Sequence, residues 1–369
     1  MSIPHESPAA FQFGNPVVVK TGDRFTVTGL RAPASRDVDG LLERLEHQLG
    51  TAGLTLASLV SIHAFARHAS DLARLDEAFE RRSIDPAARP AVSWIEVTRL
   101  LDDAAVELTA VASAAPIERF VEPAARFPAI TTSGGFAWLS GIRPDDREAA
   151  IETQVAACFE QLDRSLALAG IDRSQVFSSL VYVRNMADRK SVNDVTRRYF
   201  PAAHFPLRVI AEPVRFLGDA LFEMVFEATD RPFSFVTTAQ GQQPTGTFSQ
   251  GAVVADFVFC SGVRPIDPRT ARLVEGDFET RVLQCLKNLT AVLTAAGAGF
   301  SDVYTVTAYV RDLRRQREVE RVITANWPGR AAAATLIFEI NRLNEDHDVE
   351  ISCSAYRGCR SQERIVREN

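Results

Sequence analysis

The sequence predicts an α+β protein built from three tandem copies of one unit of roughly 110 to 125 residues. Three observations predict it. An apolar strand ending in Ser or Thr followed by Gly occurs at Phe25 to Thr28-Gly29, Ala137 to Ser140-Gly141 and Val258 to Ser261-Gly262. Each is followed by a polar loop and an amphipathic stretch that stops at Gly53, Gly170 or Gly297, a residue able to take the left-handed conformation that closes a helix. From that glycine to a Glu inside a later apolar run (Glu107, Glu223, Glu350) the distance is 54, 53 and 53 residues, a constancy that chance does not produce.

Within each copy the elements follow from periodicity. In the third, Val282, Cys285, Leu286, Leu289, Val292 and Leu293 recur at helical spacing and form one stripe, with Arg281, Lys287 and Asn288 largely off it. Strands follow at 59–65, 176–183 and 303–310, then a shorter second helix near 70–81, 191–200 and 315–326. Two last strands close each copy, near 92–97 and 106–110 in the first. The order is strand, helix, strand, helix, strand, strand, preceded by at least one N-terminal strand. Pro, Gly and Gln gather near 115–127 and 231–246, which sets units at 1–115, 120–230 and 245–358 and leaves 359–369 as a charged, frayed tail.

Composition excludes several classes of function. Apolar residues make up 46% and charged residues 24%, the usage of a soluble globular chain, and no apolar run is long enough for a membrane helix. Residues 1–13 show no basic head followed by an apolar run, so the expected location is the cytoplasm. A net charge of −6 argues against nucleic acid, whose binding draws on clustered Lys and Arg. Lys20, Lys190 and Lys287 are the only lysines, which leaves few amines for Schiff-base chemistry. The five cysteines have no C-x-x-C spacing, and His63 and His68 point to opposite faces of a strand, so neither a metal nor a cofactor is expected.

The third copy resembles the RidA/YjgF/YER057c/UK114 family through Phe259 to Gly262, Gly276-Asp277, Cys285 to Leu289, Val292 to Gly297, Asp302-Val303 and Val349-Glu350. The second is similar at Ser140-Gly141, Val192-Asn193, Phe205 to Arg208 and Leu221 to Glu223; the first, more weakly, at Pro90 to Leu100 and Val106 to Leu108. The resemblance implies units that associate as trimers around a central β-barrel, with helices outside and ligand clefts between neighbours, so three copies in one chain would close on themselves as a one-chain pseudo-trimer.

It also implies an imine or enamine deaminase that holds its substrate carboxylate on an Arg fifteen residues before a strand Glu. A planar guanidinium can give a carboxylate two parallel hydrogen bonds, and a nearby carboxylate can orient or deprotonate the attacking water. Arg208 and Glu223 have that spacing, whereas Val92 and Thr335 hold the Arg position before Glu107 and Glu350. The second copy is therefore the expected site, with Glu223 and Arg208 catalytic and Asn193, Ser140 and Phe127 binding substrate. Phe127, like Phe248 in the third copy, stands where the family usually has Tyr and lacks its hydroxyl.

Arg31, Arg143 and Arg264 recur after the strand-end Gly, where the family commonly has Gln. They either pair with acids across copy interfaces or contact a substrate bearing more than one carboxylate. Glu107 and Glu350 read as relics or interface acceptors. Ser140 is no nucleophile, because no His is placed to activate it. The expected partner is a small carboxylate, without nucleic acid or membrane, and the pseudo-trimer leaves room for further homo-oligomerisation. The leading function is hydrolysis or tautomerisation of an imine, enamine or related unsaturated acid. The alternatives are a chorismatase-like enol-ether hydrolase and a non-catalytic small-molecule binder.

Overall fold

The computed structural model describes residues 11, 13–14, 16–82, 85–123, 125–216, 220, 222–327, 333–357 and 364–365. The first segment contains β1 (Val17–Thr21), β2 (Arg24–Ala32), α1 (Val38–Thr51), β3 (Leu59–Ala66), α2 (Ala69–Arg81), β4 (Ala91–Glu96), β5 (Arg99–Leu100) and β6 (Val106–Ser113). The second contains β7 (Ile117–Phe120), β8 (Ile130–Ser133), β9 (Phe136–Leu139), α3 (Ile151–Leu168), β10 (Val176–Val183), α4 (Arg189–Tyr199), β11 (Leu207–Glu212), β12 (Arg215–Phe216) and β13 (Phe222–Thr229). The third contains β14 (Phe233–Val236), β15 (Gly251–Val254), β16 (Phe257–Cys260), β17 (Ile266–Asp267), β18 (Arg272–Leu273), α5 (Phe278–Ala295), β19 (Val303–Val310), α6 (Gln316–Asn326), β20 (Ala334–Glu339), β21 (Arg342–Leu343) and β22 (Val349–Tyr356), and β23 (Arg364–Ile365) follows.

The helices end where the glycines require. Gly53, Gly170 and Gly297 have φ of 72°, 66° and 72°, the left-handed region that a side chain disfavours. The third-segment stripe is buried as its periodicity predicts, but Asn288 is buried too. Its amide donates to the carbonyls of Arg264 and Ile266 at 3.1 and 2.9 Å, which fixes the loop after β16. At the start of α5, Asp277 Oδ1 accepts from the Thr280 N–H at 2.9 Å and its hydroxyl at 2.7 Å. Asp277→Ala should therefore destabilise the fold, read as a lower denaturant midpoint at unchanged m-value.

The strands form three seven-stranded sheets, ordered β12-β4-β3-β6-β2-β1-β23, β21-β11-β10-β13-β9-β8-β7 and β14-β15-β16-β22-β19-β20-β5. In each, a central parallel pair (β3/β4, β10/β11, β19/β20) is flanked by antiparallel ladders. Each sheet also borrows a two-residue strand from another segment: β12 pairs with β4, β21 with β11 and β5 with β20. Glu96, Glu212 and Glu339, at the ends of the three inner parallel strands, accept backbone N–H groups of Ala69, Met186 and Leu313 at 2.7, 2.6 and 2.9 Å. These bonds tie each sheet to the start of the helical stretch that follows its partner strand.

One face of each sheet packs on its own two helices. The other faces meet in two shared apolar clusters. One joins Phe65, Leu100, Tyr182, Phe216, Tyr309 and Phe338; the other joins Val60, Ala91, Phe136, Phe177, Phe259 and Tyr304. The expected central barrel is corrected here: among the described residues the ladders close within separate sheets and form no closed barrel. The inner faces meet through side chains, and single backbone bonds such as Gly141 N–H to the Val92 carbonyl and Gly262 N–H to the Arg208 carbonyl link neighbouring segments without extending a ladder. The tail is corrected in part, because Ile365 and Arg364 pair with Val18 and Val19 of β1. Residues 359–363 and 366–369 lie outside the described residues.

Candidate functional site

Arg208 and Glu223 do not share a site. On β10, Arg208 is in register with Ser179 and Glu223 with Tyr182, three positions apart, so the two side chains leave opposite faces of the sheet. Arg208 lies where the second and third segments meet. Its backbone N–H donates to Ser261 Oγ at 3.0 Å, and its carbonyl accepts from the Gly262 N–H at 3.2 Å. Val92 repeats this arrangement against the Ser140 hydroxyl and the Gly141 N–H, at 2.9 and 2.8 Å. Thr335 donates its N–H to Thr28 Oγ1 at 3.1 Å. Three junctions thus share one backbone pattern with different side chains.

Where the second and third segments meet, Arg208 is 7% exposed and Nη1 donates to Asn193 Oδ1 at 2.7 Å and to Thr247 Oγ1 at 2.9 Å. The Phe248 ring lies 5.2 Å from the guanidinium carbon, so it provides a cation–π face. Gly246 crosses beside Arg208, where a Cβ would meet Nη2 at 2.7 Å. Burial, reinforced by Arg189, pushes Arg208 down to about 9, still cationic at neutral pH. Facing it is the third segment's Glu350, seated against Gly262 where a Cβ would overlap its carboxylate. Burial raises this carboxyl to about 7, against the opposing charges of Arg264 and Arg208. The recurring Ser-Gly therefore serves geometry: Ser holds the neighbouring strand and Gly makes room for the Glu.

The other two junctions carry different side chains. Between the first and second segments, Phe127 packs edge-on against Trp94 and Phe79, and Arg126 pairs with Asp76 at 2.6 Å. Ser140 and Phe127 belong to this junction and not with Arg208; their counterparts beside Arg208 are Ser261 and Phe248. Glu223 is here too, bonded by Arg143 Nε at 2.5 Å and by the Ser93 hydroxyl at 2.6 Å. Between the third and first segments, the N–H groups of Phe13 and Gly14 donate to Glu320 and Thr335 at 2.9 and 3.3 Å, and both Phe11 and Phe13 are buried.

Among the described residues each of the three recurring arginines pairs with an acid of its own segment. Arg31 bonds Asp102 at 2.8 Å, Arg143 bonds Glu223, and Arg264 bonds Glu345 at 3.0 Å. Among the described residues no group of three His, Cys, Asp or Glu could hold a metal, and no helix is long and apolar enough to cross a membrane. Cys158, Cys260, Cys285 and Cys353 are buried and free. Sequence reasoning missed Thr247, Glu345 and the part played by Glu350. The one available signal was that a cleft between copies must draw its Glu from the adjoining copy.

Mixed α+β layers, each with two helices packed on one face of its sheet, are the architecture of a RidA-like protein. The family model described as Endoribonuclease L-PSP matches residues 117–229 and 238–357, more than half of the chain, and the chain belongs to that family. A RutC family protein of Pyrococcus horikoshii is 34% identical over 122 residues, covering 33% of this chain and 96% of that protein. The RutC family protein UK114 of Drosophila melanogaster is 32% identical over 127 residues, covering 33% and 88%. Among solved structures, a putative endoribonuclease from Thermotoga maritima is 32% identical with a TM-score of 0.32, covering 33% of this chain and 95% of its own. RidA from an Antarctic Psychrobacter is 28% identical, also with a TM-score of 0.32, covering 33% and 98%.

Proposed function

We propose that the chain is a covalent pseudo-trimer of three family units with one working cleft, between the second and third. There it acts on a small carboxylate-bearing imine, enamine or related unsaturated acid by hydrolysis or tautomerisation. The observation that carries this reading is Arg208: buried, cationic, and among the described residues hydrogen-bonded to protein through Nη1 alone, so Nε and Nη2 remain to take a carboxylate side by side. Glu350 stands across the cleft as the group to take a proton from water and return it to the leaving amine, because its carboxyl titrates near neutrality. Asn193 and Thr247 position the guanidinium. A net charge of −6 is unfavourable for an endoribonuclease.

The test uses 2-aminoacrylate generated in the cuvette, with ammonia release followed against the spontaneous rate. Release above background that is lost in Arg208→Ala supports the proposal. Release absent, or unchanged by that substitution, rejects it. A binder without turnover would instead show a carboxylate-dependent rise in melting temperature that depends on Arg208.

A further inference from the structure

We propose that Arg24 anchors a second binding site, separate from the Arg208 cleft, which takes a small carboxylate with an apolar body in a cavity where the three segments meet. The cavity has a volume of about 230 Å³, and its wall includes Arg24 of β2, Phe136 and Trp138 of β9, Phe257 of β16 and Arg231. A water-sized group takes about 30 Å³, so a small aromatic or branched acid fits. A second cavity of about 180 Å³ also has Arg24 in its wall, together with Ser178, Thr305 and Ser352. Arg24 thus borders both, with its side chain only 11% exposed.

The position of Arg24 in the repeat makes it stand out. Arg24, Phe136 and Phe257 each lie five residues before the strand-end glycines Gly29, Gly141 and Gly262. The sheet registers agree: Arg24 pairs with Ser113, Phe136 with Thr229 and Phe257 with Tyr356, each six residues after the strand Glu of its segment. One guanidinium therefore replaces one of three equivalent aromatic side chains. Three identical units with Arg here would bring three like charges together, whereas a chain of three unequal segments carries a single one.

The surroundings of Arg24 stack on its charge without satisfying its donors. Its guanidinium carbon lies 5.7, 5.4 and 5.6 Å from the ring centroids of Phe136, Trp138 and Phe259. Among the described residues its Nε and Nη1 are buried with no hydrogen-bond partner, and so is Glu227 Oε2, which at 3.8 Å from Nη1 is beyond hydrogen-bond reach. Trp138 Nε1 is a further buried donor without an acceptor. Burial raises the Glu227 carboxyl above its ordinary value, with Arg24 opposing the shift, so Glu227 is a weakened counter-ion. Unfilled donors on a buried cation are costly, and a carboxylate supplies two acceptors matched to a guanidinium while the rings receive its apolar body. Arg231, exposed and 5.5 Å from the Phe136 ring, adds a second cation to the wall. The acids on the wall, Asp23 and Asp256, are exposed, and Asp256 has Arg357 at 3.8 Å, so the charge that is buried in this wall is positive.

The test is a titration of the full chain with phenylacetate, followed by tryptophan emission, with phenylacetamide as the uncharged control of the same shape. Trp138 is the reporter, so the signal is the difference between the unaltered chain and Trp138→Phe. A saturable change with phenylacetate and none with phenylacetamide is expected. The apparent Kd should rise by about tenfold or more in Arg24→Gln/Glu227→Gln, which removes both charges together and so leaves neither buried without its counterpart. Arg24→Phe, which installs the residue that the other two segments carry there, should weaken binding at least as much. Arg208→Ala should leave the Kd unchanged. A response that does not saturate, an equal response to the amide, binding retained in the Arg24 variants, or binding lost in Arg208→Ala overturns the proposal. The reading of the Arg208 cleft is tested by ammonia release and this site by emission, so either can fail while the other stands.

Discussion

Arg208→Lys should lower kcat/KM for a carboxylate-bearing imine by on the order of 10²-fold, and Arg208→Ala by about 10³-fold, with little change in melting temperature for the Lys variant. Lysine keeps the positive charge, so attraction of the substrate survives. It loses the planar fork, and with it the two parallel bonds that fix the imine carbon relative to Glu350. Charge-assisted bonds of this kind are each worth about 1.5 to 3 kcal/mol when their partner is removed, which spans the expected range of rates. Val92→Ala and Thr335→Ser, at the equivalent positions, should change the rate by less than about threefold. At those junctions Phe127 packs on Trp94, and the N–H groups of Phe13 and Gly14 bond Glu320 and Thr335, and neither places a guanidinium at the position of Arg208. Initial rates of ammonia release decide it. A comparable loss in Val92→Ala or Thr335→Ser would show that catalysis is not confined to the Arg208 cleft.

The elements were legible because their signals are local. A helix reports the face it buries every three to four residues, and Val282 to Leu293 reports it cleanly; Gly53, Gly170 and Gly297 mark their ends because no other residue sits cheaply at φ near 70°. Counting residues also placed Val92, Arg208 and Thr335 at equivalent positions, which their matching backbone bonds reproduce. The grouping into sites was not legible. Spacing along one copy joined Arg208 to Glu223, but a cleft between segments takes its guanidinium from one and its Ser, Gly and Glu from the next. Asn288 escaped for a related reason: a polar residue beside an apolar stripe looks solvated until a loop carbonyl comes down upon it. The burial of Phe11 and Phe13 against α6 depends on contacts more than 300 residues away in sequence, which no local pattern encodes.

Glu107→Gln should stabilise the fold in alkali and leave it nearly unchanged in acid. The Glu107 side chain is fully buried, and neither carboxyl oxygen has a hydrogen-bond partner. Arg31 comes within 3.9 Å but is committed to Asp102. Burial pushes the carboxyl up to about 8 from an ordinary 4.5, with Arg31 opposing the shift and Asp102 adding to it. Between those values the folded chain holds a proton that the unfolded chain has released. Stability therefore falls as pH rises from about 4.5 and levels off above about 8. Glutamine copies the shape of the protonated acid and does not titrate, so the variant escapes that loss. The difference in unfolding free energy should be close to zero at pH 4, open through the neutral range, and reach on the order of 4 kcal/mol by pH 9. Denaturant unfolding at those pH values measures it. A difference that stays flat across the range, or a variant less stable in alkali, would mean that Glu107 remains ionised and draws real stabilisation from Arg31, making this junction a working ion pair and not a buried neutral acid.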